Sequence, residues 1–252
     1  MAAPKVIYHT GSVDAEYTVE RLKAKRSMRN VAFERMRYGD LTELKGKAVM
    51  IWGNGDEHQA SYYFDWPGSE PLTKINIDQH SDIYEQIGGE ALYCGNHFLY
   101  STYRPKRKGA LLLPSRLIKG EMSLPCYVES IPFLNPNNII KGKFTEVEIQ
   151  MLKDPLHITI DLDIVDMFPV LDEYVGINCW SDNYLMQVVK GLSSNEWFRF
   201  DVGGITWEYE IYPERKDQVR HITKPAYSKK RYEEALRIMK RLLLIALEKT
   251  SG

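Results

Sequence analysis

Nine consecutive residues, Lys74 to Asp82, read Lys-Ile-Asn-Ile-Asp-Gln-His-Ser-Asp and narrow the choice of fold more than any other stretch of the chain. Apolar and polar residues alternate as in a strand entering a sheet, and the run ends in three candidate metal ligands at every second position: Asp78, His80 and Asp82. In an extended chain such positions share a face. Two carboxylates and an imidazole gathered there would repel one another or go unsatisfied unless a cation or a set of donors lay among them. A metal is the economical explanation.

A second stretch, His157-Ile-Thr-Ile-Asp-Leu-Asp-Ile, carries the same strand pattern into Asp161 and Asp163, again two apart and on one face. In open α/β sheets the ligand crevice lies beyond the carboxyl ends of the strands, so two separate strand-end clusters can meet at one site. The plainer alternative is that Asp161 and Asp163 cap helices or close turns and that His80 is a satisfied core residue.

The remaining pattern suits one domain spanning residues 1–252. The chain is 44% hydrophobic, enough for a large core, and its formal net charge of −1 gives no field for nucleic acid or an anionic membrane. Cys94, Cys126 and Cys179 are scattered and odd in number, which argues against a disulfide scaffold and for a reducing compartment. No apolar run is long enough to span a bilayer and no signal segment opens the chain, so a cytoplasmic location is expected.

In chain order, the pattern predicts a strand around Val6 to His9, a helix over Asp14 to Arg37, and a buried strand Ala48 to Trp52. The turn Gly53-Asn-Gly-Asp-Glu-His58 follows, and an aromatic segment to Trp66. His58 alone would read as a turn histidine; at a strand mouth beside Asp56 and Glu57 it reads as a ligand. Glu90 to Tyr103 is predicted helical or a structured loop, Ala110 to Leu113 and Tyr127 to Ile131 are predicted strands, and the loops between and after them are Pro-rich. Phe144 to Leu152 is predicted as a helix with Thr145 and Glu148 forming a capping box. Asp166 to Trp180 is a long connection, Ser181 caps a helix to about Leu192, Trp197 to Val202 is a strand, and a last amphipathic helix starts at Lys229. Strands alternating with helices imply a three-layer α/β/α domain with a mostly parallel central sheet.

The proposed ligands are His58, Asp78, His80, Asp82, Asp161 and Asp163. Four carboxylates and two imidazoles exceed what one ion needs, and an oxygen-rich set with some nitrogen suits Mn²⁺, so two Mn²⁺ per chain are expected. Paired divalent ions lower the pKa of a shared water and orient it, which makes hydrolysis the leading reaction class.

Five elements together resemble the ureohydrolases, the superfamily of arginase and agmatinase. That family carries a Gly-Gly-Asp-His loop, a DxHxD strand end, a Gly-x-x-His loop, DxDxxDP, and GGLT followed by a Glu. This chain has GDEH (Gly55 to His58), DQHSD (Asp78 to Asp82), GNH (Gly95 to His97), DLDIVD (Asp161 to Asp166) and GGIT (Gly203 to Thr206), in the same order. The resemblance implies an arginase/deacetylase-type fold and hydrolysis of a guanidino group to urea and an amine. It implies one ion on His58, Asp78, Asp82 and Asp161 and another on His80, Asp78, Asp161 and Asp163. Asp82 would also accept a hydrogen bond from the attacking oxygen, and His97 would carry the proton to the leaving amine, titrating near neutrality. The family's Glu would fall near Tyr209, so Glu210, or else Glu208, each one residue from that position, would pair with the guanidinium.

Departures from the family point to the substrate. Between Leu111 and Leu156 there is no counterpart of the Arg-Asp element with which arginases hold the free amino acid. The short chain with GDEHQ and DQHSD looks more like the divergent arginase-like branch that includes peptide arginases, which turn arginine residues of a ribosomally made precursor peptide into ornithine. The expected partner is such a peptide or a small guanidino compound, and a homo-oligomer is compatible with the sequence. The other readings are an arginase or agmatinase acting on a free guanidino compound, a single-zinc deacetylase-like amidohydrolase, and a non-enzymatic peptide-binding relative.

Overall fold

The alternating stretches become central strands of one sheet. The computed structural model describes residues 5–54, 57–65, 70–80, 82–83, 92, 94–113, 131–165, 180–205, 207 and 229–248. Strands β1 (Lys5–His9), β2 (Ala32–Met36), β3 (Ala48–Ile51), β4 (Leu72–Ile77), β5 (Arg107–Leu112), β6 (Leu156–Asp161) and β7 (Trp197–Gly203) pair in the order β2-β1-β3-β7-β6-β4-β5, every pair parallel. Around it lie α1 (Val13–Lys23), α2 (Tyr38–Leu41), α3 (Ala60–Tyr63), α4 (His97–Thr102), α5 (Pro136–Lys141), α6 (Glu146–Leu152), α7 (Asp182–Ser193) and α8 (Lys229–Glu248). This is the expected three-layer α/β/α arrangement.

The two faces of the sheet differ in kind. The back face is apolar: Ile75, Ile77, Ile158, Ile160, Phe200 and Val202 pack with Val19 and Leu22 of α1, Leu185 and Val189 of α7, and the Ala235, Ile238, Leu242 stripe of α8. On the front face, small apolar clusters occupy the flanks, Met50, Ala60 and Phe64 on one side and Phe98, Leu99 and Leu111 on the other. Between them the three central strands present polar columns. Lys74, His157 and Arg199 form one row, Asn76, Thr159 and Asp201 the next, and Asp161 faces Gly203 above them. The chain leaves β4 for β5 on one side and β6 for β7 on the other, so a crevice opens beyond the carboxyl ends of β4 and β6.

Local signals act where expected. Ser181 Oγ accepts from the Tyr184 N–H at the start of α7, and Thr145 and Glu148 complete the capping box of α6. Two elements differ from expectation. The Asp14 to Arg37 segment is not one helix: α1 ends at Lys23, a 3₁₀ turn covers Arg26–Met28, and Ala32–Met36 is the edge strand β2, where pairing with β1 overrides helix propensity. α5, in a stretch that reads as a Pro-rich loop, starts with Asn135 as N-cap and Pro136 at its first position. Most of the predicted strand Tyr127 to Ile131 and of the connection Asp166 to Trp180 lies outside the described residues. Among the described residues no helix is long and apolar enough to cross a membrane.

Candidate metal centre

His58 reaches the centre from the loop after β3, where its ring stacks on Trp52 at 4.2 Å between centroids. Its Nδ1 lies 3.2 Å from Asp78 Oδ2, 3.1 Å from Asp82 Oδ2 and 3.8 Å from Asp161 Oδ2. A second lobe sits beside the first. There His80 Nδ1 is 2.9 Å from Asp163 Oδ2 and 3.5 Å from Asp78 Oδ1, so Asp78 turns one oxygen to each lobe. All six residues named from the sequence as ligands therefore meet at the crevice. Asp161 stands with the His58 lobe.

The backbone brings them there by a different route from the extended strand ends that the spacing suggested. β4 stops at Ile77, and Asp78 Oδ1 accepts from the His80 N–H at 2.7 Å, closing a tight bend. Asp82 has φ +52, a left-handed conformation that Asp tolerates better than most residues. β6 stops at Asp161, whose carboxylate caps the 3₁₀ turn Leu162–Ile164 by accepting from the Asp163 N–H at 3.1 Å. Asp161 and Asp163 thus close a turn and face the site at once. Across the crevice Gly204 has φ +95, and a Cβ there would run into the Asp161 carboxylate.

His97, the first residue of α4, is fully buried, with Nε2 2.7 Å from Asp82 Oδ2 and its ring 4.0 Å from that of His58. Asp82 Oδ2 also accepts from Asn76 Nδ2 at 3.4 Å. Burial, then the neighbouring charges of His58 and Lys74, push the His97 imidazole well below its ordinary value. The near-neutral titration expected from its residue type is therefore not what this dry setting produces. Glu208 and Glu210 lie outside the described residues.

The donor set fits a divalent cation. Burial, followed by the charges of Asp163 and Asp78, pushes the Asp161 carboxyl well up, and burial with Asp78 raises Asp163, as expected where like charges crowd a dry place. Burial alone would lower His58, but its hydrogen bonds to Asp78 and Asp82, which accept, and their charges lift it to about 10. His80, though half exposed, is partly desolvated, which alone would lower it, but hydrogen bonds to Asp163 and Asp78 and their charges push it far up. Donors about 2.1 Å from a common ion and at right angles stand about 3 Å apart, the spacing seen around His58 Nδ1. Among the described residues, three overlapping groups bring ligand atoms within 4.8 Å of one another: His58, Asp78 and Asp161; Asp78, His80 and Asp163; and His58, Asp82 and His97.

A supporting group that the residue spacing did not single out sets the tautomer of His58. Thr159 Oγ1 donates to Asp201 Oδ1 at 2.6 Å and lies 2.8 Å from His58 Nε2. A hydroxyl has one proton, so Thr159 accepts from His58 Nε2–H, and Nδ1 is left to face the carboxylates, as a metal-ligating imidazole requires. Asp201 in turn accepts from Trp52 Nε1, Ser61 Oγ and His157 Nε2. The signal was present: strands buried on both faces should read as continuous apolar runs, and Lys-Ile-Asn-Ile-Asp, His-Ile-Thr-Ile-Asp and Arg-Phe-Asp-Val-Gly do not.

No protein-family model matches the chain, and no curated protein matches it by sequence. Solved structures do match. A formimidoylglutamase from Bacillus subtilis superposes with a TM-score of 0.62 at 12% identity, over 100% of this chain and 88% of that one. Proclavaminate amidino hydrolase from Streptomyces clavuligerus gives 0.62 at 10% identity, over 98% and 92%. An arginase from Bacillus subtilis gives 0.61 at 14% identity, over 95% and 97%. The chain has the fold shared by these ureohydrolases along nearly its whole length.

Proposed function

We propose that this chain is a binuclear-metal amidinohydrolase that cleaves a guanidino group to urea and an amine. The observation that carries the reading is Asp78 turned to two donor lobes, His58 with Asp82 and Asp161 on one side and His80 with Asp163 on the other. Two lobes sharing one carboxylate favour a pair of ions over the single zinc of a deacetylase. Mn²⁺ suits the oxygen-rich donors.

Bound divalent ions would supply Lewis acidity that makes water nucleophilic at neutral pH. The chain's own residues do the rest. Asp82 stands between His58 and His97, so a proton released beside it has a carboxylate to meet and an imidazole behind that carboxylate. His97, its imidazole kept uncharged by burial, passes that proton on rather than storing it as the C–N bond breaks and the amine leaves. Glu210, with Glu208 as the neighbouring choice, pairs with the planar guanidinium.

The substrate we assign is an arginine side chain within a ribosomally made precursor peptide, giving ornithine. Support comes from the sequence, which lacks the Arg-Asp element for a free amino acid between Leu111 and Leu156. The His80 side chain is 46% exposed while His58 is buried, which favours entry of a side chain from the His80 side. The test is urea release and peptide mass from the Mn²⁺-loaded protein given arginine peptides, free arginine and agmatine. Ornithine in the peptide is the expected product. Urea from free arginine or agmatine alone would move the substrate to a small guanidino compound, and no urea from any would refute the activity.

A further inference from the structure

Beneath the donors, the front face holds buried charged side chains that the hydrolytic reading leaves unused. His157 is gripped at both ring nitrogens, Nδ1 2.5 Å from Asp65 Oδ1 and Nε2 2.5 Å from Asp201 Oδ2. A carboxylate can only accept, so each ring nitrogen is turned to an acceptor of its own. Burial by itself would raise both carboxyl groups, yet Lys74 and His157 at Asp65, and His157 at Asp201, hold them below the usual carboxylate range. Asp65 carries a negative charge at one end of this clamp. Lys74 Nζ, itself buried and 3.6 Å from Asp65 Oδ1, opposes it from within the core, while Arg104 stands 3.8 Å away on the solvent side.

Lys74 lies at a fork. One arm runs through Asp65, His157, Asp201 and Thr159 to His58 Nε2. The other is shorter: Nζ donates to Ser101 Oγ at 3.0 Å, and Ser101 donates to the His97 carbonyl at 3.0 Å in the first turn of α4. Burying an ammonium is costly, and an uncharged side chain such as Met would fill the same space without that cost. What the strand retains at this position is the charge.

We propose that Lys74 is a positioning residue of the centre, holding His58 through the Asp65–His157–Asp201 clamp and His97 through Ser101. The proposal rests on the metal-centre reading, and its test separates the two. Histidine-ring NMR on the metal-free full-length chain reports the His58 and His97 rings directly, and calorimetric titration with Mn²⁺ reports affinity. In the wild type the His58 Nε2–H, sheltered by Thr159, is expected as a slowly exchanging downfield resonance. Lys74→Met should displace the ring resonances of both histidines and weaken Mn²⁺ binding about tenfold or more. Ser101→Ala should disturb His97 and leave His58 in place. The Lys74→Met/Asp65→Asn variant restores charge balance, so its melting temperature should recover while the His58 resonance and the Mn²⁺ affinity do not. It also decides the matter if Lys74→Met alone does not fold. Wild-type ring resonances and wild-type Mn²⁺ affinity in these Lys74 variants, whatever their melting temperatures, would overturn the proposal. A wild-type chain that takes up no Mn²⁺ would refute the metal centre instead, and the ring resonances would still judge Lys74.

Discussion

Thr159 on β6 gives its hydroxyl proton to Asp201 on β7 at 2.6 Å, the residue it faces across the register of the two strands. That single donation decides which nitrogen of His58 is free for a metal. Thr159→Val keeps the shape and deletes the acceptor, so Mn²⁺ affinity should fall about 10- to 100-fold. Thr159→Ser should restore it. Calorimetric titration checks both, and a Val variant that binds like the wild type would break the link between Thr159 and the centre.

Asp78 serves both lobes with separate oxygens. Asp78→Ala should therefore lose both ions and all urea release together, whereas Asp163→Ala should empty the His80 side first. Metal content per chain by elemental analysis distinguishes these outcomes. Full occupancy in the Asp78 variant would disprove the shared carboxylate.

His97 touches Asp82 but sits behind it, its ring fully buried. His97→Ala should keep both ions and slow turnover about 10²- to 10⁴-fold, the usual worth of a positioned acid or base. Loss of metal in that variant would instead make His97 a ligand alongside His58 and Asp82.

Protonation of His58 sets two pH effects of opposite sign. Its imidazole is lifted to about 10 in the fold, so the stability it contributes to the metal-free chain is complete below the unfolded value of about 6.5 and is lost as pH rises through about 10. A divalent ion at Nδ1 must displace that proton, so Mn²⁺ affinity should climb over the same interval, by about tenfold per pH unit for one proton released. Thermal melts of the metal-free chain should weaken with pH while Mn²⁺ titrations strengthen. Affinity independent of pH across this interval would argue against Nδ1 as the ligand atom.

The parts of this architecture legible in the sequence are those governed by local chemistry. Ser181, and Thr145 with Glu148, are read from one turn of chain, and the structure has those caps. The acidic residues after β4 and β6 were legible because carboxylates rarely end buried strands without a partner. β2 was not, because Ala32 to Met36 is rich in helix formers and becomes a strand only through its pairing with β1. Asn76, Thr159 and Asp201 are illegible for a related reason. Each alternates with apolar residues and so resembles a solvent-facing position, and only the covering of the front face by α3 and α4 turns that row into an interior.

The contrast between the faces of the sheet implies that tolerance to substitution along β4, β6 and β7 is striped with a period of two. Swaps of similar volume among Ile75, Ile158 and Phe200 should cost robustness while sparing chemistry. Aliphatic replacements at Asn76, Thr159 or Asp201 should give chains that are inert even where they are sturdier. Selection for heat resistance alone would erode this protein's purpose one alternate residue at a time.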